Sequence, residues 1–127
     1  MSFRILNRVA NFRPMIIQHL RYSNKKYLDT HEWFIPEGNQ IKLGLSEKGL
    51  ELMNDIVFID DEIDTEQVFE RGEPICAIES VKAASELYAP EKCRVLEVNS
   101  ELVEDLDELN ANPEEETNWI LKLESVE

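Results

Sequence analysis

Among the groups in this sequence that can do chemistry, Lys82 has the most distinctive setting. It stands in the run PICAIESVKAASELYAP, with strand-forming residues on both sides. Alternation places Ile75, Ala77 and Glu79 on one side of a strand and Cys76, Ile78 and Ser80 on the other. Two small alanines after the lysine lead to Leu87 and Tyr88, and Pro90 closes the run. If the two arms pair as a hairpin, Val81 and Lys82 fall at its tip. A lysine held there offers its amine, in water, as a nucleophile to a modifying enzyme. The same spacing also describes an ordinary solvated charge, so residue types alone leave both readings open.

No competing catalytic set accompanies it. His31-Glu32 is followed by Trp33 and lacks the second histidine of H-E-x-x-H. His19 lies in the basic N-terminal stretch, and nothing in the spacing pairs His31 with a cysteine as a nucleophile. Cys76 and Cys93 form no C-x-x-C pair and read as small buried apolar residues, not as a disulfide or metal site. The acid run Asp60, Asp61, Glu62, Asp64 and Glu66 fails as an EF-hand loop, because Thr65 occupies the sixth place, where glycine is required. It reads as a solvated acidic loop.

The elements that must position Lys82 are short strands. KYLDTHEWFIPEGNQIKLGLSEKG predicts a hairpin, with Glu37-Gly38-Asn39 as its turn and Ile41, Leu43 and Leu45 alternating on the return. Ser46 is an N-cap for a short helix carrying Leu50 and Met53. DIVFID predicts a strand buried between two layers. CRVLEVN predicts another strand, and Leu102, Leu106 and Leu109 describe one stripe of a single amphipathic helix. After Asn112-Pro113, a last strand presents Thr117, Trp119, Leu121 and Leu123 on one face. Short, closely spaced strands with one or two brief helices predict an all-β sandwich or flattened barrel.

Charge divides the 127 residues unevenly. Residues 1–28 hold six basic residues and no acid. All 27 acidic residues follow, against seven basic ones, giving 29–127 a net charge of −20. Such a body repels phosphate backbones and argues against nucleic-acid binding, while it suits partners with basic docking surfaces. The arginine-rich, acid-free residues 1–23 have the composition of a mitochondrial transit peptide. The expected organisation is therefore a transit segment over 1–23 and one domain over 24–127, located in the mitochondrial matrix or a related organelle. No apolar run approaches membrane-spanning length.

Several marks occur in a set order: THEW at Thr30–Trp33, GLS at Gly44–Ser46, DIVFI at Asp55–Ile59, RGEPICAIESVKAASELYAP at Arg71–Pro90, LNANP at Leu109–Pro113 and WILKL at Trp119–Leu123. In that order they resemble the H protein family of the glycine cleavage system and cover nearly all of 27–124. Val-Lys-Ala at the tip differs from the Asp-Lys-Ala of 2-oxo acid dehydrogenase lipoyl domains and the Met-Lys-Met of biotin carriers.

The resemblance implies a lipoyl-domain-like barrel-sandwich hybrid of two small antiparallel sheets, with lipoate amide-linked to Lys82. It implies a carrier without catalysis of its own. Such a carrier would take the methylamine group of glycine from pyridoxal-phosphate-dependent glycine decarboxylase to an aminomethyltransferase, and its reduced dithiol to dihydrolipoamide dehydrogenase. The family's sheltering cleft maps onto Glu32, Thr30 and Glu86, while Glu79 and Ser80 would be read by the lipoylating enzyme. His31 and Trp33 fall to the scaffold.

The sequence departs from the family pattern at Cys93 and Asn54, where glycine is usual, in the acid run 60–66, and in lacking the C-terminal helix common after WILKL. These departures keep two alternatives open: an H-like lipoyl protein serving lipoyl relay or another complex, and a non-shuttling scaffold.

Overall fold

The computed structural model describes residues 24–127; the expected transit segment 1–23 lies outside the described residues. Among the described residues, eight strands form two antiparallel sheets. The five-stranded sheet runs β1 (Lys26–Tyr27), β2 (Glu32–Glu37), β3 (Gln40–Leu45), β8 (Leu121–Ser125), β7 (Cys93–Val98). The three-stranded sheet runs β4 (Ile56–Ile59), β5 (Pro74–Ser80), β6 (Ala84–Tyr88). Inward residues of both sheets share one core, with Leu43, Leu121 and Leu123 meeting Ile59, Ile78 and Leu87. The expected barrel-sandwich is therefore the observed architecture.

Local sequence explains the first hairpin. Gly38, at φ +66, opens a two-residue turn that sets Glu37 opposite Gln40. The same register sets Trp33 opposite Gly44, and the indole fills the space a side chain would need there. A Cβ on Gly44 would lie 2.4 Å from the Trp33 ring. The buried indole also donates from Nε1 to the Pro113 carbonyl at 2.8 Å, fastening the LNANP segment to β2.

Helix α1 (Glu47–Met53) begins as expected, with the Ser46 hydroxyl accepting the Gly49 amide at 3.0 Å. It ends at Asn54, whose φ of 67 and ψ of −157 fall in a region that glycine alone occupies comfortably. Asn54 thus adopts the conformation that a glycine would adopt there without strain. Cys93 does not: it starts β7 fully buried, outside the positive-φ positions, so this residue packs in the core. Cys76 is also buried, and its thiol donates to the Asp60 carbonyl at 3.1 Å. Burial first, then the charges of Asp60 and Asp61, push the Cys76 thiol up to about 12.

Three expectations require correction. DIVFID is not covered on both faces, since Val57 and Phe58 are 51% and 49% exposed. A register shift between Ile56 and Phe58 inserts Val57 as a bulge, and two successive side chains turn outward. The Leu102–Leu106–Leu109 stripe belongs to two helices, α2 (Ser100–Glu104) and α3 (Leu106–Ala111). They divide at Asp105, whose φ of −131 and ψ of 71 break the helical path, so the described residues hold three short α-helices where one or two were expected. Trp119 lies outside the last strand, after a 3-10 turn at Glu116–Asn118. Asn118 stabilises that turn by donating to the Asn112 carbonyl and to Glu108.

Candidate functional site

Lys82 stands at the end of the β5–β6 hairpin. Glu79 pairs with Ala84, and Ser80 through Ala83 make the turn, closed by the Ser80 amide donating to the Ala83 carbonyl at 2.8 Å. The Ser80 hydroxyl accepts the amides of Lys82 and Ala83 at 3.2 and 3.0 Å. This explains the serine: a short side chain with an acceptor oxygen satisfies two turn amides that the strands cannot reach. Ser80 therefore shapes the tip, around which Glu79, Val81, Lys82 and Ala83 are exposed. Lys82 makes no ion pair among the described residues. Cys76 and Ile78 point into the core and anchor the hairpin's base.

A cleft of about 90 Å³ lies beside this hairpin, and Thr30, Glu32 and Glu86 all line it. Its buried walls are Leu45, Met53, Ile78 and Leu87, and its exposed rim includes Leu52, Ser85 and Glu86. Ser85 is three residues beyond Lys82, roughly 10 Å along an extended strand.

Glu32 is the buried charge of this cleft, at 1% exposure. Its Oε2 accepts the Tyr88 amide at 2.6 Å, and its Oε1 accepts the Thr30 hydroxyl. Thr30 thus orients the carboxylate, and each oxygen retains acceptor capacity beyond these two bonds. The turn carrying these groups is held by the Leu28 amide donating to the Glu32 carbonyl and the His31 amide to the Leu28 carbonyl, both at 2.9 Å. His31, at φ +77, passes its own carbonyl to the Ser46 amide at 3.0 Å, so the turn is tied to the start of α1. Gly49 permits that approach, because a Cβ there would lie 3.0 Å from the His31 carbonyl oxygen.

Glu86 joins the cleft differently. It is exposed and sits opposite Ala77, on the other face of β6 from Leu87. It belongs to the rim, not to the buried charge. The cleft's apolar walls and Ser85 were not placed in the site from sequence, and two further contributors were missed for distinct reasons. The Tyr88 amide is a backbone group with no side-chain signature. Leu52 is a cleft residue that stays 58% exposed, and its helical position alone gave no hint of that.

A second anchor holds β1 in place. The Glu114 carboxylate receives the Lys25 ammonium at 2.8 Å, the Tyr27 hydroxyl at 2.7 Å and the Glu47 amide at 2.7 Å. The Lys25 ammonium also lies 4.7 Å from the Trp33 ring centroid. Burial pushes the Glu114 carboxyl upward, but Lys25 and the two other donors outweigh it and hold the carboxyl below 4.5. Burial, followed by Glu114, pushes the Tyr27 hydroxyl up to about 12.

Comparison with known proteins agrees with this architecture. The family model described as Glycine cleavage H-protein matches residues 25–127. A glycine cleavage system H protein of Vibrio atlanticus is 41% identical over 99 residues, covering 77% of each chain. One from Thermotoga maritima is 38% identical over 101 residues, covering 79% of each. The crystal structure of a glycine cleavage system H protein from Mycobacterium marinum matches with a TM-score of 0.70 at 25% identity, covering 81% of this chain and 84% of that one. The chain belongs to the glycine cleavage H-protein family, the non-catalytic lipoate carriers of that system.

Proposed function

We propose that the protein is the lipoyl-bearing shuttle of glycine cleavage, with lipoate amide-linked to Lys82. The observation that carries this reading is the exposed Lys82 at the end of a hairpin whose turn Ser80 organises, beside a cleft with one buried carboxylate. The geometry fits the group: a lysine without an ion pair among the described residues is free for acylation, and an apolar cleft ending in Glu32 suits an apolar arm with a cationic end.

When bound, lipoate supplies a cyclic disulfide that accepts a methylamine group reductively and is later regenerated from the dithiol. The chain's own residues do the rest. Ser80 keeps the tip rigid, so the arm is presented at high effective concentration to each docked enzyme. The buried walls at Leu45, Met53, Ile78 and Leu87 exclude water from the resting arm, and Glu32, oriented by Thr30 and Tyr88, balances a cationic amine. Glu86 adds negative charge at the rim. The partners in this reading are glycine decarboxylase, an aminomethyltransferase, dihydrolipoamide dehydrogenase and a lipoylating enzyme. Residues 1–23 would direct the chain to the mitochondrial matrix or a related organelle; their basic, acid-free composition supports this.

Intact mass of the protein from a lipoate-replete host, beside Lys82→Arg, tests the carrier reading. A lipoyl increment on the natural chain and none on the variant is expected; an unmodified natural chain overturns it. Methylamine loading by purified glycine decarboxylase then separates this shuttle from a lipoyl protein serving another complex.

A further inference from the structure

The bulged edge strand β4 presents an apolar patch that the carrier chemistry does not use. Val57 and Phe58 are 51% and 49% exposed, and Val81 beside the lysine is 76% exposed. Register makes them neighbours of the tip: Ile56 pairs with Ser80 and Phe58 with Glu79, which in turn pairs with Ala84. Phe58, Glu79 and Ala84 therefore form one row across the outer face, three residues from Lys82. Acids rim the patch, with Asp55 before it, Asp60 and Asp61 after it and Glu79 beside it. An apolar centre with a charged rim is the anatomy of a protein interface, and this rim calls for a basic partner surface.

We infer that Val57, Phe58 and Val81 form the docking surface of the enzyme that acylates Lys82. The inference rests on lipoylation of Lys82. An enzyme acting on the bare lysine can approach only as far as a four-carbon stem allows. It must therefore enclose the tip and cover the Phe58–Glu79 row. Enzymes that act on the far end of a finished arm work at a distance and need no such contact.

The step itself is an acyl transfer from an acyl-adenylate that the enzyme makes from lipoate and ATP. The deprotonated Lys82 amine attacks the acyl carbonyl carbon, the amide C–N bond forms and the C–O bond to phosphate breaks. The adenylate leaves with the electron pair, and the ammonium loses two protons to solvent in all. The apolar patch supplies binding energy that orients the amine for this attack.

The test uses the full chain, unlipoylated, with a lipoate-attaching ligase, lipoate and ATP, and reads acylation by intact mass. Phe58→Thr and Val81→Thr should each lower kcat/KM about tenfold, mainly through KM, the scale of losing one interface anchor. Val81 lies in the exposed turn, so its variant reports even if Phe58→Thr unfolds. Leu96→Thr, an equally apolar change on β7 at 41% exposure, should behave as the natural chain. Natural rates in both tip variants overturn the docking surface while leaving lipoylation of Lys82 intact. A natural chain that is not acylated overturns both readings. Once lipoylated, Phe58→Thr should be loaded by glycine decarboxylase at the natural rate; an equal loss there overturns the assignment to the acylating enzyme.

Discussion

Glu32 on β2 and Tyr88 at the end of β6 are joined by a 2.6 Å hydrogen bond from the Tyr88 amide to the carboxylate Oε2. One side chain thereby links the five-stranded sheet to the three-stranded one. The same carboxylate is the charge of the cleft, so fold and site share a residue. Removing it should cost stability even without an arm. Glu32→Ala leaves the part-buried Tyr88 amide without its acceptor and should lower unfolding free energy by about 1–3 kcal/mol. Glu32→Gln, which keeps an acceptor, should lose about half as much. Urea unfolding of the unlipoylated protein measures both, and equal midpoints for Glu32→Ala and the natural chain would sink the linkage.

Gly44 has no room for a methyl group. Gly44→Ala places a Cβ against the Trp33 indole, which is itself fixed to the Pro113 carbonyl. Overpacking of this kind costs about 1–3 kcal/mol. A red-shifted tryptophan emission should accompany the loss, as the indole leaves its buried position.

Asn54 is a place where the protein can be improved. Asn54→Gly relieves a glycine-only conformation and should gain about 1 kcal/mol after the entropy of the added glycine is counted. Asn54→Ala should lose stability. Thermal melts of the two variants must move in opposite directions.

The Glu114 anchor predicts how stability varies with pH. Its folded carboxyl titrates below 4.5, so its contribution is present above that pH and fades as pH falls through the folded value. Tyr27 works at the other end: raised to about 12 from 10.0, it contributes fully below 10 and is lost as pH rises toward 12. Glu114→Gln should flatten the acid limb of a stability profile, and Tyr27→Phe the alkaline limb. Unchanged limbs would show that these groups do not govern them.

Much of the frame was legible because local chemistry and tertiary role agree. The Glu37–Gln40 turn, the Ser46 cap and the alternation of Cys76 and Ile78 each follow from a few adjacent residues. What was not legible depended on distant partners. A continuous apolar run such as DIVF does not reveal that a bulge turns Val57 and Phe58 outward. The leucine stripe survives the break at Asp105, with Leu102 and Leu109 both buried, so periodicity alone could not show two helices. In the site, Thr30, Glu32 and Glu86 were found through family resemblance. Only the structure separates the buried, oriented Glu32 from the exposed Glu86.

Asn110 gives the LNANP segment a further consequence. Its side-chain amide accepts the Ile56 amide at 2.9 Å and donates to the Ile56 carbonyl at 3.1 Å. It imitates one residue of a neighbouring strand and occupies the outer edge of β4 where another chain would pair. A carrier that offers exposed apolar side chains to a partner runs the risk of pairing with its own copies. Here the side chains stay available to visitors while the backbone at Ile56 is already spoken for.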